Sequence, residues 1–442
     1  MDTQRLVLFF VFSFSLLLLW EAWQKEARGP QPPLVSSSSA VPAPSTPATG
    51  SPPSASAAKQ APQAPQPAAV QGGSSQKIRV TTDLVVADID TEGGSITYLE
   101  LLEHKDSGKS DQNVILLGPE HRYAAQSGLI GNGLPTHRAL YKAEQLAYSL
   151  KQGEDHLDVR LVTSVSEGIT STKTLTFRRG SYVIDIGQEI ENRSTSPVSA
   201  HAYFQLTRDG KKPAGANSMA PTYTGPAVYS EQDKFHKVDF GDIDKNKVGY
   251  TRNTDNGWVA MIQHYFVSAL VLPDKAPREY YTRKLSDDYY AVGEIIPVPD
   301  VAPGGKASVG VELFAGPQNQ SLLKATAPGL DLVVDYGWLT ILAAPLFWVL
   351  QFFHGLSGNW GLAIILLTVL IKLVFFPLSA ASYRSMAKMK QVTPRLMKIR
   401  EQYGDDRMKQ NQAMMELYKQ EKINPLGGCL PIVVQIPVFI AL

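Results

Sequence analysis

The sequence has a single cysteine and almost no net charge, and both shortages exclude classes of protein. Cys429 is the only cysteine among 442 residues, so the chain can form neither an intramolecular disulfide nor a cysteine-based metal site. It also lies far from the N-terminus, which excludes a lipid-modified N-terminal cysteine of the bacterial lipoprotein kind. A formal net charge of +1 gives no whole-chain argument for nucleic-acid binding. Charge therefore matters only where it clusters.

The sequence also lacks a recognisable catalytic or metal-binding motif. It contains no nucleophile elbow, phosphate-binding loop or paired-carboxylate motif. We therefore predict that the protein is not an enzyme and needs no cofactor. Most of its histidines are scattered without the spacing of metal ligands, which makes them surface or structural residues. These histidines are His104, His121, His137, His156, His201, His236 and His264.

Residues 1–24 predict a transmembrane anchor. The run 6–20 is apolar apart from two serines, although it is a little shorter than the roughly 20 residues of a full span. A cleaved signal peptide is the alternative. No small-x-small cleavage site follows the run, however, and Trp20 and Trp23 suit a membrane interface. The next segment, 25–76, is rich in Pro, Ala, Ser and Gln, which predicts a disordered linker.

Residues 77–325 predict one large β-domain. Apolar and polar residues alternate through 174–186 on both sides of a turn that contains Gly180, as in an antiparallel hairpin. Many short strands with few helical stretches indicate a β-sandwich. The same alternation is found in four other segments, 78–86, 157–165, 258–272 and 309–314.

Two apolar runs follow the β-domain. The first lies within 326–357 and has aromatic residues throughout, with Pro345 inside it and Trp360 close behind. These features favour a helix in the membrane interface over a span. The second run, 358–378, has the length of a true transmembrane helix. Pro377 should end or kink this second helix.

Residues 379–428 predict a hairpin of two antiparallel helices, and 429–442 predict the start of a third span that this sequence cuts short. Gly404 separates the two helices, and Asp406 is placed to cap the second. Apolar residues at three- and four-residue spacings predict a short coiled coil. Its methionines are more often core than a binding surface, although methionine also suits varied apolar partners. They are Met386, Met389, Met408 and Met415.

The distribution of basic residues predicts the orientation. The hairpin contains ten lysines and arginines, whereas neither type occurs between Lys324 and Lys372. The positive-inside rule therefore places the hairpin in the cytoplasm, the β-domain outside and the N-terminus inside. The basic residues need have no role beyond topology. The alternative is contact with anionic lipid headgroups or ribosomal RNA.

Lys372 is a charge within an otherwise apolar transmembrane segment. At about 1.5 Å per residue it lies about 16 Å along the helix from Gly361, in the cytoplasmic half of the span. A charge at such a depth costs about 3 kcal/mol, and less when the side chain extends to the interface. One interpretation is therefore a snorkelling lysine. The other is a cation that faces a wet cavity, with Thr368 one turn earlier and Gln435 in the third run as further polar groups.

Several short motifs from about residue 330 onward resemble those of the YidC membrane-protein insertases. They are the run 330–339, Asn359-Trp360-Gly361, Lys372, Pro377-Leu378, the Ser-Met-Ala-Lys-Met of 385–389 and the Asn-Pro-Leu-Gly-Gly-Cys of 424–429. The order of elements resembles the Gram-negative form along the whole chain. The resemblance implies a multi-domain membrane protein with an N-terminal anchor helix, a large periplasmic β-supersandwich of the sugar-mutarotase type, and an α-helical transmembrane core with a cytoplasmic helical hairpin.

The resemblance also implies a function. The family moves nascent proteins into the bacterial inner membrane, alone or with the Sec translocon, and assists their folding without nucleotide hydrolysis. Substrates would enter a hydrophilic groove, where a basic residue, usually arginine, attracts their hydrophilic tails. Lys372 matches that position, so the charge is kept but the bidentate fork of arginine is lost. The hairpin would receive substrates and contact ribosomes or targeting factors, and the core would contact lipids. Other matching groove positions are Thr368, Pro431, Gln435, Pro437 and Phe439.

Two other functions are compatible with parts of the pattern. A membrane-anchored carbohydrate-binding or carbohydrate-processing protein would use the β-domain, but the sequence shows no convergent set of carboxylates and histidines. A transporter or channel would use Lys372 as a substrate or ion site. Sugar binding by the β-domain would favour the first function. Ion flux through the reconstituted protein would favour the second.

Overall fold

The computed structural model describes residues 75–106, 111–166, 168–213, 222–247, 249–336, 339–404, 406–421 and 430–442. The predicted anchor, 1–24, and nearly all of the predicted linker, 25–76, lie outside these residues. The described chain contains a β-domain followed by a set of helices. The large β-sandwich with C-terminal helices that the sequence predicts is therefore confirmed.

Nineteen strands form the β-domain within the described residues. The first ten are β1 Lys77–Thr81, β2 Val85–Asp90, β3 Ser95–Lys105, β4 Asn113–Leu117, β5 Ala124–Ile130, β6 Lys142–Ala143, β7 Ala147–Ser149, β8 His156–Ser166, β9 Ile169–Arg178 and β10 Val183–Asn192. The others are β11 Val198–Arg208, β12 Gly225–Ser230, β13 Lys234–Lys237, β14 Asn253–Thr254, β15 Trp258–Gln263, β16 Phe266–Val271, β17 Arg278–Ser286, β18 Tyr289–Val301 and β19 Lys306–Pro317.

Within the described residues, these strands form two sheets that pack face to face. The first sheet has the order β14-β17-β18-β11-β5-β3-β2-β1-β7, with β4 paired to β3. The second has the order β13-β12-β15-β16-β19-β10-β9-β8-β6. Neighbours are antiparallel except β1 and β7. Because chain neighbours such as β8, β9 and β10 are also sheet neighbours, much of the second sheet is built from hairpins.

Segment 174–186 forms the hairpin that its pattern predicts. β9 and β10 pair antiparallel, and buried residues alternate with partly exposed ones along both strands. Two other segments are each divided in two. Residues 258–272 form β15 and β16, with Tyr265 in a left-handed conformation at the turn, where φ is 71°. Residues 78–86 form the paired strands β1 and β2.

The core lies between the two sheets. Its largest buried side chains include Trp258, Phe177, Phe204 and Phe314. Phe177 and Phe314 come from the second sheet and Phe204 from the first, so both inner faces contribute. Burial of such large apolar surfaces is the dominant favourable contribution to folding.

A buried lysine also crosses this core. Lys173 of β9 is fully buried, and its Nζ donates to the carbonyl oxygens of Gly93 and Ser127, which belong to the first-sheet side. The ring of Tyr141 lies 5.3 Å from the same Nζ. Burial lowers the pKa of Lys173 to about 7. The lysine therefore joins the two sheets by hydrogen bonds instead of by apolar contact.

A short connector joins the β-domain to the C-terminal helices. A short helix within the β-domain, α1, spans Phe240–Asp244. After β19 the connector forms the helix α2, Gln320–Thr326, and a 3-10 turn, Leu330–Val333. Trp258 Nε1 donates to the carbonyl oxygen of Pro328 at 3.1 Å, and Lys237 forms an ion pair with Asp335. The connector is therefore fastened to the β-domain at several points.

Asn319 caps α2. Its side-chain oxygen accepts hydrogen bonds from the backbone N–H groups of Ser321 at 3.0 Å and Leu322 at 3.3 Å. An N-cap contributes about 1 kcal/mol, so we expect Asn319→Ala to lower the free energy of unfolding by about that amount. Asn319→Asp keeps an acceptor oxygen and should change it little. Thermal unfolding of both variants tests this, and equal losses in the two would contradict the capping role.

The C-terminal helices are α3 Thr340–Ser357, α4 Trp360–Val374, α5 Phe376–Tyr403, α6 Arg407–Gln420 and α7 Leu430–Ala441. Among the described residues, α3 alone is long and apolar enough to cross a membrane as a single helix. α4 and α5 meet the same criteria together, as a pair bent by 55°. The predicted helix 358–378 is thus divided at Phe375, two residues before the proline at which an end or a kink is expected, and Pro377 falls in the first turn of α5.

The first of the two apolar runs forms a single helix, α3. The sequence favours an interfacial helix within 326–357, whereas α3 has the length and composition of a span, with a mean hydropathy of 1.4. α4 by itself is 15 residues, or about 22 Å at about 1.5 Å per residue. That is shorter than the roughly 30 Å of a hydrocarbon core. The assignment of 358–378 as a membrane span, and of 326–357 as an interfacial helix, stays a prediction.

Candidate functional site

α4 has a capped N-terminus and one narrow buried side. The side chain of Asn359 accepts a hydrogen bond from the backbone N–H of Leu362 at 3.2 Å. Ala363 and Leu367, four residues apart on one face, are its buried residues, and the helix packs chiefly against α3. This packing leaves most of α4 uncovered.

The apolar surface of α3, α4 and α7 is largely exposed. A contiguous apolar surface of this kind marks contact with lipid or with another apolar partner, because it is unfavourable in water. These helices are therefore suited to a membrane. The exposed residues include Ile341, Trp348, Phe352, Leu356, Ile364, Ile365, Val369, Leu373, Val433, Ile436 and Ile440.

Lys372 lies in the last turn of α4 and is exposed. Its Nζ lies 5.8 Å from the centre of the Phe439 ring in α7, within the range of cation–π attraction. Thr368, one turn earlier, is also exposed, and its hydroxyl donates to the carbonyl oxygen of Ile364 at 2.8 Å. The structure thus places Lys372 next to Phe439 of α7. The Thr368 hydroxyl, in contrast, donates its hydrogen bond within α4.

The other predicted groove residues lie on α7. Gln435 and Phe439 are four residues apart and share one face of the helix. Gln435 and Pro437 are half-buried, and Phe439 is exposed. Among the described residues no hydrogen bond joins Gln435 to Lys372. Pro431 lies in the first turn of α7, and its side chain is outside the described part of the structure.

The sequence around Lys372 is also free of acidic residues, a feature that neither residue spacing nor hydropathy reveals. The sequence has no aspartate or glutamate from 336 to 400 and none from 422 to 442. The helices α3, α4 and α7 therefore carry no carboxylate that could pair with Lys372. No group of three or more His, Cys, Asp or Glu among the described residues could hold a metal ion. The dominant feature of the site is thus one cation without a counter-charge on its own helices.

Of the four methionines that the spacing of α5 and α6 places in an apolar core, one packs against it and three are exposed. That core consists of Val392 and Leu417, with Met389 packed against them. Met386 and Met415 are exposed, and Met408 is 85% exposed. The buried residues of α5 and α6 are therefore few, and three of the four methionines lie outside their contact. Arg395 and Glu421 join the two helices at 2.5 Å, and Asp406 caps α6.

The chain matches known protein families along almost its whole described length. Residues 77–349 match the family model described as the YidC periplasmic domain. Residues 352–442 match the model described as the 60Kd inner membrane protein. The two matches meet within α3, where the chain passes from the β-domain connector to the exposed apolar helices.

Curated relatives match the full chain. The membrane protein insertase YidC of Nitrosospira multiformis is 50% identical over 457 residues, and that of Dechloromonas aromatica is 52% identical over 446. Both alignments cover 100% of this chain and 80% of the relative. Among solved structures, a galactose mutarotase related enzyme from Lactobacillus acidophilus aligns with 54% of this chain and 97% of its own, with a TM-score of 0.37 and 11% identity. That last likeness carries no argument. The chain belongs to the YidC family of membrane protein insertases.

Proposed function

We propose that Lys372 attracts the acidic tail of an incoming membrane protein into a hydrophilic groove on the cytoplasmic side of the inner membrane. The protein is a membrane insertase of the inner membrane with a periplasmic domain, and it is not an enzyme. The observation that supports a role for Lys372 is its charge: an exposed cation in an apolar helix, on a set of helices without carboxylates.

The energetics favour transient pairing with a substrate. A lysine at membrane depth costs about 3 kcal/mol when it is unpaired. A carboxylate at about 4 Å recovers about 4 kcal/mol at an effective dielectric of about 20, which offsets that cost. A permanent carboxylate partner on the protein itself would neutralise Lys372 and weaken its attraction for a substrate tail. Once the tail has entered, burial of the substrate's apolar segment in lipid is the favourable step, so no nucleotide hydrolysis is needed.

The remaining groove residues have supporting roles in this proposal. Thr368 and Gln435 each lie one turn from a member of the Lys372–Phe439 pair and would keep the groove wet. Phe439 would hold the ammonium group in place between substrates. Pro437 lies inside α7 and cannot donate to the carbonyl group four residues earlier, which leaves that carbonyl available to water. Pro431, in the first turn, removes no hydrogen bond from the helix and would only fix where α7 begins.

The basic residues of α5 and α6 set the orientation and supply a partner surface. Those with described side chains are exposed, including Arg384, Lys388 and Lys398. The positive-inside rule places this hairpin in the cytoplasm, opposite the periplasmic domain. There it would contact the ribosome or targeting factors through phosphate and carboxylate groups. The exposed Met386, Met408 and Met415 would receive apolar segments of nascent chains, and insertion would proceed alone or beside the Sec translocon.

Exchange of Lys372 in the full-length protein tests the proposal. We expect Lys372→Ala to reduce insertion of a substrate with a short acidic tail about tenfold, which corresponds to about 1.4 kcal/mol. Lys372→Arg keeps the charge and should insert this substrate as well as the original protein does. Lys372→Glu repels the acidic tail and should give the lowest inserted fraction. Lys151→Ala, an exposed change of the same kind in the β-domain, is the control. The measurement is the inserted fraction in proteoliposomes that contain no other protein.

A second substrate with a basic tail completes the design. If Lys372 acts by charge, Lys372→Glu should insert the basic tail better than the original protein does. Equal insertion of the acidic tail by the original protein and by all three Lys372 variants would rule out the electrostatic role. Ion flux without insertion would instead support a transporter or channel.

A further inference from the structure

A polar cavity lies on the outer face of the first sheet, away from the core. Its volume is about 550 Å³, and its lining comes largely from six strands that are consecutive in the sheet, β17, β18, β11, β5, β3 and β2. Gln205 of β11 faces it, because the side chains of a strand alternate and Phe204 and Leu206 face the core. Gln205 donates to Gln126 at 2.8 Å and accepts from the Tyr281 hydroxyl at 2.9 Å. The floor is therefore fixed before any ligand binds.

Arginines give the cavity its charge. Arg122, Arg138 and Arg283 line it, against the two carboxylates of Asp90 and Glu92. Arg122 is held in place by a hydrogen bond to the carbonyl oxygen of residue 288 at 2.6 Å, with its guanidinium 4.5 Å from the ring of residue 289. The planar fork of arginine matches the oxygens of a carboxylate or a phosphate. The excess of cations thus favours an anionic ligand.

His137 adds a neutral donor to the same cavity. The Tyr203 hydroxyl oxygen lies 2.5 Å from His137 Nδ1 and accepts the backbone N–H of His137 at 2.9 Å. Burial raises the pKa of Tyr203, so the phenol stays protonated and donates to Nδ1. Burial, chiefly, lowers the pKa of His137 to about 4. The neutral imidazole therefore carries its proton on Nε2, where it can bind a hydroxyl or ether oxygen.

We propose that this cavity binds a small organic anion that carries hydroxyl groups beside a carboxylate or a phosphate, such as a uronic acid or a sugar phosphate. The volume falls within the range of small-molecule sites. Every lining residue except Leu285 carries a polar group, which favours a hydroxylated anion over a lipid chain. The arginines would hold the anionic group, and His137 with Gln126 would hold the hydroxyl groups. The site is separate from Lys372 and does not depend on the proposed insertion mechanism.

Calorimetric titration of the full-length protein in detergent tests the proposal. The probes are glucuronic acid, glucose 6-phosphate, inorganic phosphate and glucose. We expect glucuronic acid or glucose 6-phosphate to bind with a Kd of about 1 mM or lower, and glucose at least about tenfold more weakly. The stronger of these two anions identifies the preferred acid group. Tighter binding of the sugar phosphate than of inorganic phosphate shows that the hydroxyl groups contribute.

Matched arginine variants decide whether the cavity is the site. Arg122→Gln and Arg283→Gln should each weaken binding of the anion about tenfold or more. Arg193→Gln removes the same charge from an exposed arginine outside the cavity and should leave binding unchanged. Arg122 is itself exposed, so its variant keeps the test valid if Arg283→Gln does not fold. Glucose binding as tightly as the anions, equal effects of all three variants, or no binding by folded protein would overturn the proposal.

Discussion

Replacement of Glu294 by glutamine is expected to raise the free energy of unfolding of the β-domain by several kcal/mol at pH 8 and to change it little below pH 4. Glu294 of β18 is fully buried, and neither carboxylate oxygen has a hydrogen-bond partner among the described residues. In the sheet it is paired with Phe204, whose ring belongs to the core. A buried carboxylate without partners is strongly unfavourable, so the group takes up a proton instead.

Burial raises the pKa of Glu294 from its ordinary 4.5 to about 8, against a smaller opposing effect of Arg278. Between these two values the folded protein keeps the proton while the unfolded chain loses it. The stability contributed by the protonated form is therefore complete below pH 4.5 and is lost as pH rises to about 8. At about 1.4 kcal/mol per pH unit the loss amounts to about 5 kcal/mol. Glutamine does not ionise, so its variant avoids this loss.

Urea unfolding at several pH values, followed by tryptophan fluorescence, measures the effect. Trp258 lies in the core and contributes to that signal. Lys173 changes stability in the opposite direction, between its folded pKa of about 7 and the ordinary 10.5, so the difference between variant and original protein isolates Glu294. Glu120→Gln, on the exposed surface, is the control. A difference that does not grow between pH 4.5 and 8 would show that Glu294 is charged in the folded state.

The second large effect is expected at Arg278, which is 3% exposed and lies at the start of β17. All its donors bind backbone carbonyl oxygens. Nε donates to residue 276 at 3.1 Å, Nη1 to residues 257 and 272, and Nη2 to residues 255 and 274. One guanidinium thus holds two loops together, and its fork geometry is what allows five contacts.

Arg278→Lys should therefore lower the free energy of unfolding by about 3 kcal/mol, although the charge is kept. Lysine has three donors, so at least two carbonyl groups lose a partner, at about 1 to 3 kcal/mol each. Arg193→Lys is the matched control, because the Arg193 side chain is 71% exposed and pairs with Glu191 at the surface. It should change stability by less than about 0.5 kcal/mol. Thermal unfolding compares the two. Similar losses would mean that the fork of Arg278 has no special role.

Local pattern was enough to predict the β-sandwich but not the ends of its strands. The alternation through 174–186 is fixed by burial of one face, so it is legible in the sequence. The turn at Tyr265 is not, because a tyrosine at a φ of 71° gives none of the usual signals of glycine or asparagine. The pairing order of the strands depends on contacts between distant segments, which no local pattern records.

The candidate sites likewise divide into features that local sequence predicts and features that depend on contacts between distant segments. Lys372 was predictable, because a charge in an apolar run is conspicuous in any sequence. Its approach to Phe439 depends on how α4 and α7 pack. Which methionines of α5 and α6 are exposed likewise depends on how those two helices pack: Met389 contacts their core, whereas Met386, Met408 and Met415 are exposed. The cavity of the β-domain could not be predicted. Its arginines and His137 come from separate segments that only the sheet order brings together.

The connector between β19 and α3 has a mechanical consequence. A pull on α3 along the direction of β19 is resisted first by the Trp258–Pro328 hydrogen bond and the Lys237–Asp335 ion pair. It is resisted next by β19, which is bonded to β10 along 306–314 and to β16 along 312–317. These ladders must shear together and cannot open one bond at a time. The β-domain can therefore bear load from a moving helix without unravelling, and forced extension should yield at the connector first.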